Sequence, residues 1–433
     1  MKRVLILSTT TGYQLRSFGD AARELGFELM FATDRCHSLD DPWRDAAVAV
    51  RFHEEDDSVA AVLAAAGQQP VDGVIAVGDR PVILAARVAA ALGVPWHSVD
   101  AARASAHKRL ARARFAAAGL PAPRYLSTSV DADPNSVAAR ARYPAVIKPV
   151  MLSGSRGVIR ADTPAELVAA FQRVSSLLAR PDIRAQRTGA EDEIIVEDFI
   201  PGREFAVEAL MTDGELHCLA IFDKPDPLDG PFFEETIYVT PSRATAAVQR
   251  AIVDAVTSAA SALGLSNGPV HAECRVAVSP GNEASPLSSP VYILEVAARP
   301  IGGLCSKVLR FESGTARVSL EHVLLAHAVA RGNENAIPPR ENQAAAVMMI
   351  PIPRRGVLRS VTGDDAAREV PHVEDVRITA KADQMLEPLP EAGSYLGFVF
   401  ARAPSAAAAE EAVREAHRRL VFRVDAAVDV RVG

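Results

Sequence analysis

Lys148 stands inside an apolar run, Ala-Val-Ile-Lys-Pro-Val, and a loop of small residues follows it, Ser153-Gly154-Ser155-Arg156-Gly157. A buried ammonium is unfavourable unless a counter-charge meets it. A loop free of bulky side chains can close its backbone N–H groups on phosphate oxygens. The pair reads as a phosphate-binding strand and loop, or else as an edge strand with an exposed lysine and a flexible turn. Further along, Val196-Glu197-Asp198-Phe199-Ile200-Pro201-Gly202-Arg203-Glu204 reads as a strand that leaves through a Pro-Gly turn and returns. Such a hinge offers backbone groups to a flat heterocycle, with Glu204 placed to accept from ribose hydroxyls. A plain hairpin with solvated carboxylates is the alternative.

Two more carboxylates lie in apolar runs, Glu273 in His-Ala-Glu-Cys-Arg and Glu295 in Ile-Leu-Glu-Val-Ala-Ala-Arg-Pro-Ile-Gly-Gly. On facing strands they would repel and become partly protonated unless a hard cation sat between them. Mg²⁺ held by one or two carboxylates plus nucleotide phosphates meets that need. Arg299, four residues past Glu295, enters the Gly302-Gly303 loop. Its planar fork could hold a carboxylate or a tetrahedral oxyanion there, or pair structurally with either glutamate.

The elements that must position these groups follow from hydrophobic periodicity. In the first hundred residues, apolar runs at 4–7, 28–32, 47–52, 74–77 and 94–96 alternate with amphipathic stretches at 15–25, 59–66 and 81–92. That alternation predicts a parallel sheet covered by helices on both faces. The loop at 8–12 lacks the G-x-G-x-x-G fingerprint, which argues against a dinucleotide-dependent dehydrogenase. A helix over 106–119, strands at 193–197, 204–211, 216–222, 270–278 and 291–296, and helices at 164–178 and 245–263 follow. A Pro/Gly/Ser-rich hairpin loop is expected at 279–290. Past residue 340, strands near 345–352, 373–379 and 397–401, a helix over 405–420 and a last strand predict a small α+β cap.

At 433 residues the chain is too long for one core, so several subdomains are expected. The net charge of −7 argues against nucleic acid as main partner, and no apolar stretch is long enough for a membrane span. The four cysteines, Cys36, Cys218, Cys274 and Cys305, have no metal-type spacing and read as reduced, mostly core thiols of a cytoplasmic protein. Only six of the 47 basic residues are lysines, so each lysine, a compact point charge where arginine is a planar fork, carries information.

In this order, lysine strand, glycine loop, hinge with glutamate, two carboxylates and an arginine, the chain resembles the ATP-grasp superfamily. Within it, the chain is similar to carboxylate–amine ligases of the bacterial L-amino acid ligase type. The most specific match is Asp198-Phe-Ile-Pro-Gly-Arg-Glu204, and Ser394-Tyr-Leu-Gly-Phe-Val-Phe-Ala-Arg resembles their extra C-terminal domain. The resemblance implies an α/β ATP-grasp fold. Its parts are an N-terminal Rossmann-like domain over 1–105, a small lid subdomain over 106–195, a large subdomain over 196–335 and a C-terminal α+β domain over 336–433. It implies that Lys108 and Lys148 contact ATP phosphates under the 153–157 loop. Glu197, Asp198, Phe199 and Ile200 would hold adenine and Glu204 the ribose. Glu273 and Glu295 would bind Mg²⁺, for which Mn²⁺ could stand in, and Arg299 would orient an acyl phosphate. The segment 222–241 also resembles these ligases, as a loop over the acceptor pocket with Lys224, Glu234 and Glu235 facing substrate charge or solvent. Gly302 and Gly303 would line the pocket, with Gly303 leaving room for a larger substrate. One departure is Ala297, where the family usually has a metal-binding asparagine, which leaves one or two Mg²⁺ ions open.

The function so implied is ATP-dependent amide formation between a small-molecule carboxylate and an amine, by way of an acyl phosphate. A homodimer is the assembly the family suggests. The rival readings are another ATP-grasp ligase, purine-pathway or bicarbonate-activating, and a non-catalytic nucleotide-binding regulator.

Overall fold

The computed structural model describes residues 1–9, 15–34, 47–67, 69–277, 290–330 and 337–426. Cys36, most of the loop at 8–12 and the hairpin loop at 279–290 lie mainly outside the described residues. The chain begins with β1 (Arg3–Ser8), α1 (Leu15–Leu25), β2 (Glu28–Thr33), β3 (Val48–Ala49), α2 (Glu55–Ala66), β4 (Gly73–Val77) and α3 (Val82–Leu92). The strands form a parallel sheet in the order β3-β2-β1-β4. Val4, Leu5, Ile6 and Leu7 of β1 and Val74, Ile75 and Ala76 of β4 are buried, the expected result for strands covered on both faces.

Two expected strands differ. Residues 47–52 give only the two-residue β3. Residues 94–96 form no strand, because Gly93 closes α3 in a left-handed cap and Ser98 already caps the next helix. Too little chain is left between the caps to pair. The expected helix over 106–119 is α5 (Lys108–Ala117), and a further helix, α4 (Val99–Ala106), precedes it.

The small subdomain holds β5 (Tyr125–Ser129), α6 (Pro134–Arg140), β6 (Ala145–Pro149), β7 (Ile159–Ala161), α7 (Pro164–Leu178), α8 (Pro181–Arg184) and β8 (Glu193–Asp198). Its antiparallel sheet, ordered β5-β8-β6-β7, packs under α7 on a core of its own that includes Ile147, Leu167, Phe171, Val174, Ile194 and Val196. Thr163 caps α7 by accepting from the Glu166 N–H, and Pro164 opens the first turn.

The central sheet is built from β9 (Gly202–Thr212), β10 (Glu215–Asp223), β11 (Ile237–Thr240), β12 (Gly268–Ala277) and β13 (Val291–Ala297), backed by α9 (Ala246–Leu263). Then come the hairpin β14 (Arg310–Ser313) and β15 (Ala316–Ser319), and α10 (Leu320–Val329). The C-terminal part adds β16 (Ala344–Ile350), β17 (Gly356–Thr362), α11 (Asp364–Arg368), β18 (Val373–Ile378), β19 (Met385–Leu386), β20 (Gly397–Ala403), α12 (Ala406–Arg419) and β21 (Val421–Ala426).

The C-terminal strands do not form a detached cap. β16, β20 and β18 continue the central sheet, whose order is β13-β12-β9-β10-β11-β16-β20-β18. The join is β11 against β16, register Ile237 with Met348 through Thr240 with Ala345. Only β19-β17-β21 form a separate sheet. Among the described residues no helix is long and apolar enough to cross a membrane.

Candidate functional site

Lys148 occupies the fourth position of β6, a strand buried along its whole length. Its counter-charge is Glu197 on the adjacent β8, with Nζ 2.6 Å from Oε2. Burial lowers the Lys148 pKa and the nearby Arg112 cation adds to that, while Glu197 works against both. Burial alone would raise the Glu197 pKa, but Arg112 and Lys148 hold its carboxylate below the usual range. After β6 the chain enters the small-residue loop, where Gly154, Ser155 and Gly157 take positive φ. A Cβ on Gly157 would lie 2.8 Å from the Pro149 ring, so no larger residue fits there.

A cavity of about 500 Å³ opens between this small sheet, the central sheet, the end of β4 and the C-terminal segment. It gathers most of the residues singled out from sequence: Lys108, Lys148, Ser153, Gly154 and Ser155 on one side, Glu197 through Ile200 and Glu204 at the hinge, and Glu273, Glu295 and Arg299 on the central sheet. Gly157 packs behind the loop instead, and its N–H donates to the Pro390 carbonyl at 2.8 Å. Glu234 lies outside the lining, against the Ile352 backbone, while Glu235 lines the cavity.

The hinge is fastened by a residue that sequence reasoning passed over. Arg275 donates from Nε to Glu204 Oε2 at 2.8 Å and from Nη1 to the Ile200 carbonyl at 2.8 Å. Its guanidinium also lies 5.0 Å from the Phe199 ring centroid, while Arg160 covers that ring at 4.3 Å. Arg275 falls two residues after Glu273 in a strand of period two, so it shares the face that Glu273 presents to the cavity. That alternation was the available signal.

Glu204 also receives Lys224 at 2.8 Å. The Lys224 ammonium is buried among three carboxylates, donating to Glu235 and, at 3.1 Å, to Glu273 as well. Burial opposes its charge, but Glu204, Glu235 and Glu273 together raise its pKa well above the usual value. In this arrangement all three N–H bonds of Lys224 go to protein carboxylates rather than toward a substrate. Oxygens of Glu204, Glu235 and Glu273 lie within 4.8 Å of one another, a spacing that suits a metal ion, yet Lys224 already donates to all three.

Glu273 and Glu295 are direct cross-strand partners in the β12–β13 ladder. The register shifts immediately after this pair, and Leu294 has no partner in the ladder. Glu295 lies 3.5 Å from Lys108 Nζ, and Lys108 donates to the Leu152 carbonyl at 2.8 Å. Two half-buried carboxylates side by side, with hard oxygen donors turned into a cavity, fit a divalent cation of the Mg²⁺ type. Ala297 lines the same cavity and offers no side-chain ligand.

Arg299 pairs with neither glutamate. Its fork meets Asp79, just past β4, with Nε 2.7 Å from Oδ1 and Nη2 3.2 Å from Oδ2. Burial alone would raise the Asp79 pKa, but Arg299 outweighs it and the carboxyl stays below its usual value. The loop after Arg299 is anchored by Glu208, fully buried, which accepts from the Ile301 N–H and meets His271 Nδ1 at 3.0 Å.

Gly302 and Gly303 both line the cavity, but the room expected at Gly303 is limited. Its φ is +62°, and a Cβ there would lie 3.3 Å from the Phe398 ring. The C-terminal domain therefore crowds the space beside Gly303, and the positive φ favours glycine there. At the same end of the cavity, Ser394 and Tyr395 belong to a segment on which the small subdomain rests. Arg156 donates to the Glu391 carbonyl at 2.7 Å, Arg173 to the Glu391 carboxylate at 2.9 Å and Arg180 to Glu387 at 2.7 Å. Of the three described cysteines, Cys274 and Cys305 are buried and Cys218 is exposed. Burial raises the pKa of the two inner thiols.

Comparison with known proteins finds matches along most of the chain. Residues 141–308 match the ATP-grasp domain, residues 19–96 the ATP-grasp N-terminal domain and residues 348–425 the L-amino acid ligase C-terminal domain 2. Over 98% of this chain and 99% of the other, the fold superposes on the crystal structure of L-amino acid ligase from Bacillus licheniformis, with TM-score 0.81 and 26% identity. The uncharacterized protein y4rH of Sinorhizobium fredii is 25% identical over 96% of this chain and 82% of its own length. D-alanine–D-alanine ligase of Aromatoleum aromaticum is 30% identical over 35% of this chain and 45% of its own length.

Proposed function

Since the chain is an ATP-grasp ligase with an L-amino acid ligase C-terminal domain, we propose that it joins one amino acid to the amine of another through an acyl phosphate, driven by ATP. The supporting observation is the cavity in which Lys108, Lys148, Glu273, Glu295 and Arg299 meet. In this reading adenine lies against the hinge at 197–200, the ribose near Glu204 and the phosphates between the two lysines and the 153–155 loop. Glu273 and Glu295 would hold Mg²⁺, which would supply charge neutralisation to the phosphate oxygens. Ala297 adds no ligand, so one strongly held ion is the expectation.

In the first step an oxygen of the substrate carboxylate attacks the γ-phosphorus in line. The bond to the β–γ bridging oxygen breaks, and ADP departs. Lys148 and Lys108 spread the charge of the phosphoryl group as it moves. In the second step a neutral amine attacks the acyl carbon, the C–O bond to phosphate breaks, and the amine proton leaves with the departing phosphate. Arg299, held by Asp79, steadies the oxyanion between these events. Water would hydrolyse the acyl phosphate, so the loop at 153–157 and the segment at 222–241 act as walls that exclude it.

The test is a panel of amino acids, singly and in pairs, with Mg-ATP and a readout of ADP, AMP, phosphate and amide product. ADP and phosphate released only with a particular pair, and lost in Lys148→Ala and Glu295→Ala, are the expected results. AMP and pyrophosphate would replace this mechanism with adenylation.

A further inference from the structure

Helix α5 turns one face into the wall of the site. Lys108 and Arg112, one helical turn apart, both reach β13. Lys108 approaches Glu295, and Arg112 Nη2 donates to the Leu294 carbonyl at 2.6 Å. Leu294 is the residue left without a partner by the register shift, so Arg112 takes up a carbonyl beside the unpaired position. The Arg112 side chain is 1% exposed and lies outside the cavity lining. It nevertheless donates from Nε to Glu197 Oε1 at 2.8 Å and from Nη2 to Glu197 Oε2 at 3.3 Å. That second oxygen is the one Lys148 holds at 2.6 Å.

Arg112, Glu197 and Lys148 therefore form a buried triad of two cations and one anion, with one positive charge left over. A Lys148–Glu197 pair alone would be neutral, and its ammonium would be bound to its own counter-charge. In a low-dielectric wall that difference acts strongly on anything anionic in the cavity. We infer that Arg112 is a positioning residue for nucleotide phosphates: it compensates Glu197 and so leaves the charge of Lys148 available to the β- and γ-phosphates. The inference rests on the ATP reading of the cavity. A brace that merely held β8 to β13 would need the hydrogen bonds of Arg112 but not this charge balance, which makes the two separable.

The experiment measures calorimetric binding of ATP, ADP and AMP in Mg²⁺ to the native chain, Arg112→Met, Arg112→Lys and Arg112→Met with Glu197→Gln. Arg112→Met should weaken ATP by about tenfold or more and ADP by about threefold, with AMP within about twofold. Arg112→Lys keeps the charge, and the double variant restores a single uncompensated cation. Both should return the preference for ATP over AMP to within about threefold of native. If Arg112→Met does not fold, the double variant carries the test alone, with the same expected preference. Equal weakening of all three nucleotides in Arg112→Met, or a double variant with no phosphate preference, would overturn the inference and leave the ATP reading standing. A native chain that binds ATP no better than AMP would overturn both.

Discussion

At the scale of the residue, the site is a set of charges each held by a partner from another segment. Arg299 shows what that arrangement does. Its fork is aimed by Asp79, so the isosteric Asp79→Asn keeps the shape but releases the aim. Steady-state kinetics should show kcat reduced about tenfold or more, with the KM for ATP little changed. An unchanged kcat would count against Arg299 as the group that steadies the oxyanion. Gly303 makes a different prediction. A side chain must enter the left-handed region and meet Phe398, so Gly303→Ala should cost about 1 kcal/mol or more in a denaturant titration.

Much of this scale was legible in the sequence, because a charge inside an apolar run announces that something must meet it. Lys148, Glu273, Glu295 and Arg299 do come together in one cavity. Their partners were not legible. Asp79 follows the end of a strand far away in sequence, and Arg112 sits in a helix that carries two other arginines, Arg109 and Arg114. Only three-dimensional packing distinguishes the arginine that turns inward. The sequence pattern around Lys224 suits a side chain facing substrate or solvent and does not reveal that three carboxylates converge on it.

At the scale of the element, the long periodic helices and the continuous apolar strands of the first sheet were readable, while short pieces were not. The segment at 94–97 is instructive. Instead of pairing as a strand it sends His97 against the start of β12 and the turn before it, where the ring meets the Pro269 carbonyl at 3.1 Å and accepts from the Ser266 N–H at 3.2 Å. These two bonds require a neutral ring with its proton on Nε2. Burial, with His327 nearby, pushes the imidazole down to about 4 despite the Pro269 bond. The folded pKa is thus below the unfolded value, and the unfolded chain takes up a proton first as pH falls. Stability should drop between about pH 6.5 and pH 4, by roughly 3 kcal/mol from this one group. Denaturant midpoints across that range should fall for the native chain. His97→Gln should be weaker at pH 7 but flatter, and an equally steep His97→Gln profile would contradict the assignment.

At the scale of the whole molecule, the central sheet runs through the expected boundary at residue 336 and carries the C-terminal strands to the cavity. The hydrophobic pattern showed those strands but not their sheet, because pairing between distant strands leaves no local trace. The result is mechanical. The small subdomain rests on the segment 387–391, and that segment continues into Ser394 and Tyr395 at the cavity wall. Arg173 and Arg180 are partly exposed, so each ion pair is worth less than about 1 kcal/mol. Removing both, as Arg173→Ala with Arg180→Ala, should therefore leave folding almost unchanged and loosen the closed wall. A larger share of ATP should then be hydrolysed without amide product, measured as the ratio of phosphate to amide. A ratio equal to native would mean that this contact does not help exclude water.

The central claim is that the substrate carboxylate itself becomes the phosphoryl acceptor. It is tested most directly by labelling both carboxylate oxygens of the acid substrate with ¹⁸O and following the label by mass spectrometry during turnover. Acyl-phosphate chemistry predicts one ¹⁸O in the released inorganic phosphate and none in the nucleotide. Label recovered in AMP, or phosphate that carries none while amide is formed, would contradict it.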